Sequence, residues 1–131
     1  MMYILDTNTL IYYFKGMGQV AEQLLNVPPR DVAIPSIVLY ELEVGLAKSS
    51  SPEKRRQQLE TLTGVVTVLP LGVKEARCAA MVRASMEMAG TPIGPMDTLI
   101  AGTALAQQGI LVTHNTKEFS RIDGLQLHDW Y

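Results

Sequence analysis

Apolar residues fall into two alternating patterns along this chain. Four short runs, Met1–Leu5, Val32–Ile34, Val65–Leu69 and Ile110–Val112, are almost continuously apolar and stop at polar residues, Gly or Pro. They are too short for helices and rich in Val, Ile and Leu, so they predict buried strands. Between them apolar residues recur at helical spacing, which predicts helices over Gln19–Leu25, Ser36–Ala47, Pro52–Leu62, Val73–Met88 and Pro95–Gln108. Ser36, behind Pro35, reads as a helix N-cap. Gly90 and Gly109 read as helix stops, and Pro52 and Pro95 occupy first turns, where the missing N–H does no harm. The Pro52–Leu62 helix carries mixed charges and is expected on the surface. Strands alternating with helices predict an α/β sandwich with a mainly parallel sheet flanked by helices. Ser49-Ser50-Ser51-Pro52 is the only linker-like stretch and is too short to divide domains.

Three acids interrupt these patterns. Asp6 ends the first strand run, Glu41 lies in the nearly all-apolar segment Ile37–Leu46, and Asp97 opens a helical run directly behind Gly94-Pro95. Successive helical residues turn by about 100°, so with Val38 at zero, Glu41, Leu42 and Gly45 fall within roughly 60° of it and Glu43 near ~140°. The same rotation puts Ile100, Ala101, Ala104 and Gln108 on the face of Asp97. Each acid has an ordinary reading alone: a turn residue for Asp6, an ion-paired buried acid for Glu41, a first-turn acid favoured by the helix dipole for Asp97. In apolar elements, however, carboxylates are costly unless paired, hydrogen-bonded or bound to a cation. The expectation is that the fold gathers all three around a metal.

Composition narrows the setting. At 131 residues, 47% hydrophobic and 18% charged, the chain can bury the core of one globular domain and is too apolar for disorder. A net charge of −2 excludes a broadly basic nucleic-acid coat, but not a local basic rim beside an acidic centre. The single Cys78 excludes an internal disulfide framework and is expected as a buried structural thiol. The first apolar run meets Asp6 too early for a signal peptide, and no stretch approaches the roughly 18 apolar residues of a membrane span. A soluble, cytoplasmic protein with no membrane partner is expected.

Ligands of parallel sheets gather beyond the carboxyl ends of the strands. Asp6-Thr7-Asn8 and Thr113-His114-Asn115-Thr116 both follow such ends. Carboxylate, hydroxyl and amide oxygens suit a hard cation such as Mg²⁺ or Mn²⁺. Zinc is disfavoured, because His114 and His128 have no paired spacing. His114 reads as a proton shuttle, a phosphate contact or a plain loop residue.

Taken together, Ile4-Leu5-Asp6-Thr7-Asn8, Tyr40-Glu41-Leu42-Glu43-Val44-Gly45 and Ile93-Gly94-Pro95-Met96-Asp97-Thr98-Leu99-Ile100-Ala101 resemble the PIN-domain ribonucleases. The chain is more closely similar to the VapC toxins of bacterial VapBC toxin–antitoxin modules. The closing stretch from Leu111 to Arg121, with Gly124-Leu125 and Asp129-Trp130 beyond, extends the match over essentially the whole chain. The resemblance implies one PIN-like sandwich over residues 1–131, with Asp6, Glu41 and Asp97 as metal-binding acids. Asn115 falls on a fourth position that is more often Asp in the family, although a branch of VapC toxins carries Asn. Glu118, a helical turn further on, could compensate for the weaker amide. The implied activity is that of a Mg²⁺-dependent endoribonuclease toxin cutting structured RNA, often tRNA, and silenced by a VapB antitoxin. Homodimers are common in the family, and promoter DNA is bound through the antitoxin.

Phosphodiester hydrolysis needs an activated water, charge relief at phosphate and help for the leaving oxygen, all of which carboxylate-held divalent ions supply. On this reading Asp6 is a central ligand and Asp97 a second direct one. Glu41 binds directly or through water and is a candidate proton acceptor. Thr7, Thr113 and Asn115 form the hydrogen-bonding shell around them. Without a cation the clustered carboxylates should repel, and at least one pKa should rise. Lys15, Lys117 and Arg121 are candidate RNA phosphate contacts, with solvated surface charge as the simpler role. Lys54-Arg55-Arg56 reads as an exposed helix face. Tyr12, Tyr13 and Phe14 could stack on bases, or serve the core or a partner. The run Leu10–Phe14 and the helix Ile37–Leu46 carry apolar surface that a partner helix or a second copy could cover. Two rivals stand beside this reading. A phosphatase with an Asp6 nucleophile is disfavoured by Asn8, where a second acid is expected. A degenerate PIN domain that only binds RNA or a partner would explain Asn115.

Overall fold

In the computed structural model, which describes residues 1–131, each apolar run becomes a strand: β1 (Tyr3–Leu5), β2 (Val32–Pro35), β3 (Thr67–Leu69) and β4 (Ile110–Val112). A fifth strand, β5 (Gln126–His128), joins them, and all neighbours pair in parallel in the order β3-β2-β1-β4-β5. Helices α1 (Thr7–Lys15), α2 (Val20–Leu25), α3 (Ser36–Lys48), α4 (Glu53–Thr63), α5 (Val73–Met88), α6 (Pro95–Ala106) and α7 (Thr116–Phe119) flank the sheet. The α/β sandwich with a parallel sheet read from the sequence is therefore the observed architecture.

The three central strands explain the continuous apolar runs. Ile4, Leu5, Val32, Ala33, Ile34, Leu111 and Val112 are all wholly buried, because helices cover both faces of β1, β2 and β4. The helices contribute Leu10, Val38, Ile100 and Phe119 to the same core. Each such side chain stabilises the fold by about 1.5–3 kcal/mol relative to exposure. α5 and α6 pack tightly at Gly102, where an added Cβ would lie 2.5 Å from backbone atoms of Ala79. Small residues are thus required at that crossing. No helix is long and apolar enough to cross a membrane.

The structure corrects several local expectations. α1 and β5 were not among the elements predicted from periodicity. α1 is capped by the Asp6 side chain, which accepts a 2.8 Å hydrogen bond from the Thr9 N–H. β5 is an edge strand of only three residues, too short for alternation to be read. Ser36 is not the cap of α3; that position is Pro35, which offers no side-chain acceptor, and Ser36 begins the helix proper. At the end of α6 the left-handed residue is Gln108, with φ 53°, rather than Gly109. Gly109 is needed for space instead, since a Cβ there would lie 2.7 Å from Ile4 Cδ1. Cys78 is only half-buried, because it lies on the flank of α5 and lines a shallow groove with Met81, Met86 and Arg121.

Candidate metal centre

From β1 the chain steps outward to β2 and β3, then returns across the sheet to β4 and β5. The strand order therefore reverses between β1 and β4, the place where open parallel sheets form a crevice. Leu5 and Val112 are register partners, and the Asp6 N–H donates to the Val112 carbonyl at 3.1 Å. Asp6 and Thr113 consequently leave adjacent strands side by side. Thr113 Oγ1 donates to Asp6 Oδ2 at 2.6 Å, and the backbone N–H of Asn115 donates to that hydroxyl at 3.0 Å.

Two helices bring the other acids to this crevice. α3 follows β2, and its buried positions Val38 and Leu46 fix the orientation that turns Glu41 inward. Thr7 Oγ1, in the first turn of α1, donates to Glu41 Oε1 at 2.6 Å. Glu43 points away, as its helical angle requires, and pairs with Arg56 at 3.4 Å near the surface. α6 runs back along the sheet before β4, so its first turn, with Asp97, lies at the carboxyl ends of the strands. Ile100, Ala101 and Ala104 hold the buried face of that helix.

The electrostatics record this convergence. Burial raises the Asp97 carboxyl from its ordinary 3.8 to about 6, with further contributions from the charges of Glu41, Asp6 and Glu118. Asp6, 5% exposed, is also raised by burial. Hydrogen bonds from Thr113 and Thr9 oppose that shift, and the charge of Asp129 adds to it. Asp6, Glu41, Asp97 and Glu118 thus share one negative region. No three of these side chains form a closed group of metal ligands. Asp6 and Glu41 are instead held by threonine hydroxyls, and Glu118 accepts a 2.9 Å hydrogen bond from the Asn115 amide. The donors are nonetheless all oxygens, and their mutual repulsion is what a hard divalent cation would relieve. In donor type and charge, the residues fit such an ion.

The remaining candidates divide. Lys15 is exposed and lines the groove that contains Glu41. Lys117 is exposed on α7. Arg121 lines a groove with Cys78 and Met81 that includes none of the three acids, so the structure does not bring it to them. His114 Nδ1 lies 2.9 Å from Asp129 Oδ2, and its ring stacks on Tyr131. Tyr12 packs edge-on against both His114 and Tyr131, while Tyr13 packs against Phe14. Asp129 and Arg55 were not read as site residues. Asp129 sits in a polar C-terminal stretch without periodicity, and Arg55 is masked by its charged neighbours Lys54 and Arg56.

Comparison with known proteins agrees along the whole chain. Residues 3–125 match the PIN domain family. A tRNA(fMet)-specific endonuclease VapC of Salmonella typhimurium is 35% identical, covering 98% of this chain and 97% of that protein. Ribonuclease VapC1 of Haemophilus influenzae is 36% identical, covering 99% and 98%. Among solved structures, VapBC2 of Rickettsia felis, bound to a fragment of its promoter DNA, superimposes with a TM-score of 0.93 at 34% identity, covering 100% of both chains.

Proposed function

The chain belongs to the PIN-domain family, in its VapC branch, and from that premise we propose that it is a Mg²⁺-dependent endoribonuclease toxin acting on structured RNA, with tRNA as substrate. Membership of that branch carries a nuclease role of the hydrolase class. The observation that supports the finer reading is that Asp97 feels the charges of Glu41 and Asp6, acids from segments remote in sequence, beside the β1–β4 switch point.

Asp6 and Asp97 would hold the divalent ion, with Glu41 binding directly or through water. When bound, the ion supplies charge relief to phosphate and acidifies a water molecule; Mn²⁺ would substitute. The protein's own groups prepare that site. Thr113 and the Thr9 N–H each hold one oxygen of the Asp6 carboxylate, and Thr7 holds Glu41, so both carboxylates keep a set orientation. Burial and the charges of Glu41, Asp6 and Glu118 hold the Asp97 carboxyl up at about 6, a shift that a bound divalent ion would relieve. Glu41, which shares a groove with Lys15, is the candidate to accept a proton from an attacking water. Asn115 aligns Glu118 through its amide and supports the region without adding charge.

The same reading gives the protein a VapB-type antitoxin partner and a homodimeric assembly, supported by similarity to chains of VapBC complexes, some of them bound to DNA. Promoter DNA would be reached through the antitoxin. A second reading, a degenerate module that binds RNA or a partner without cutting, is favoured by the absence of a closed ligand group and by Asn115.

Incubating the purified protein with total tRNA, in Mg²⁺ or in EDTA and beside Asp6→Ala, separates the two. Discrete fragments that require both the metal and Asp6 support the nuclease. Folded protein that takes up no Mn²⁺ and leaves RNA intact supports the module.

A further inference from the structure

The acidic centre creates a difficulty for any polyanionic substrate, because four carboxylates repel the strand that must reach them. Relief has to come from cations that are near the centre and not neutralised by acids. Arg56 and Arg83 are not available in this sense, since they pair with Glu43 and Glu87. Arg55 is different. Its guanidinium lies 5.1 Å from the centre of the Phe14 ring, and its Nη1 donates to the neutral Gln58 Oε1 at 2.9 Å. It has no carboxylate within ion-pair distance, and its Nε and Nη2 have no protein acceptor. It lines a groove of about 380 Å³ with Lys15 and Glu41, and Ile11, Leu42 and Leu46 are also in the lining.

We propose that Arg55, with Lys15, binds a backbone phosphate of the RNA beside the scissile one, on the Glu41 side of the centre. This rests on the ribonuclease reading and adds to it the path by which the strand leaves the acids. Stacking on Phe14 and the bond to Gln58 hold the planar guanidinium in place, so less freedom is lost when it meets a phosphate. Packing against Phe14 alone would be met by an uncharged side chain. The free N–H groups facing no protein acceptor are what a phosphate oxygen would use.

The test is steady-state cleavage of total tRNA in Mg²⁺ as a function of salt. Arg55→Gln should raise KM on the order of tenfold with kcat little changed, and flatten the slope of log kcat/KM against log salt by about 0.7, the loss of one single-strand phosphate contact. Arg56→Gln should match the wild type. If Arg55→Gln fails to fold, Arg55→Met keeps the stem on Phe14 and removes the charge, and the same change in KM and slope is expected. Wild-type KM and slope in a folded Arg55 variant overturn the proposal while leaving the ribonuclease reading intact. Absence of cleavage by the wild-type protein overturns both.

Discussion

Thr113 Oγ1 donates a 2.6 Å hydrogen bond to Asp6 Oδ2, joining the residue after β4 to the residue after β1 across 107 positions of sequence. Thr113 is wholly buried, and its hydroxyl also accepts from the Asn115 N–H. One side chain therefore orients the Asp6 carboxylate and the Asn115 backbone, whose side-chain amide in turn bonds Glu118 on α7. Thr113→Val should leave Oδ2 without its donor and push the Asp6 carboxyl further up. A stability loss of about 1–2 kcal/mol is expected, with weaker Mn²⁺ uptake, while Thr113→Ser should restore both. Urea denaturation with metal titration of the two variants decides the matter.

Asp97 makes stability depend on pH. Its folded-state pKa of about 6 exceeds the ordinary 3.8, so the folded chain holds the proton more tightly than the unfolded one. That contribution to stability is complete below 3.8 and is lost as pH rises through 6. In EDTA near neutral pH, Asp97→Asn should therefore be more stable than the wild type, by about 1 kcal/mol once solvent screening is discounted. The difference should vanish in acid near the ordinary aspartate value. Equal stability at neutral pH would mean that the acids do not repel as their burial implies.

Metal uptake should show the same group from the other side. Protonated Asp97 cannot act as a ligand, so Mn²⁺ affinity should fall by about tenfold per pH unit below about pH 6, as one proton competes with the ion. Calorimetric titration across that range, repeated with Asp97→Asn, would reveal the dependence and its loss. A flat profile would remove Asp97 from the ligand set.

Two glycines in helices should respond oppositely to alanine. At Gly102 the new Cβ would lie 2.5 Å from backbone atoms of Ala79, where α5 cannot yield without moving as a whole. Gly102→Ala should cost about 1–3 kcal/mol or more. At Gly45, in the interior of α3, a Cβ meets nothing within 4 Å. Gly45→Ala should stabilise by roughly 0.5–1 kcal/mol through helix propensity. Thermal unfolding of both variants in EDTA provides the comparison.

Much of this architecture was legible along the chain because burial on both faces leaves a direct trace in sequence. β1, β2 and β4 must be apolar at every position, and α3 and α6 must be apolar on the stripes that meet them. An acid in such a stripe stands out, which is why Asp6, Glu41 and Asp97 could be singled out before any coordinates. α1 was less visible, since its N-cap is Asp6 itself and its aromatic residues Tyr12, Tyr13 and Phe14 lie only partly in the core. β5 was invisible because a partly exposed edge strand of three residues has no pattern to detect.

The sequence by itself determined which residues must be buried, and so the elements and the three embedded acids, because hydrophobic periodicity is a local property of the chain. Only the tertiary structure decided what those acids meet. The strand order makes Asp6 and Thr113 neighbours, the path of α4 sets Arg55 over Phe14 beside Glu41, and Arg121 lines a separate groove with Cys78 and Met81. Those pairings depend on contacts between segments tens of residues apart, which no local spacing encodes.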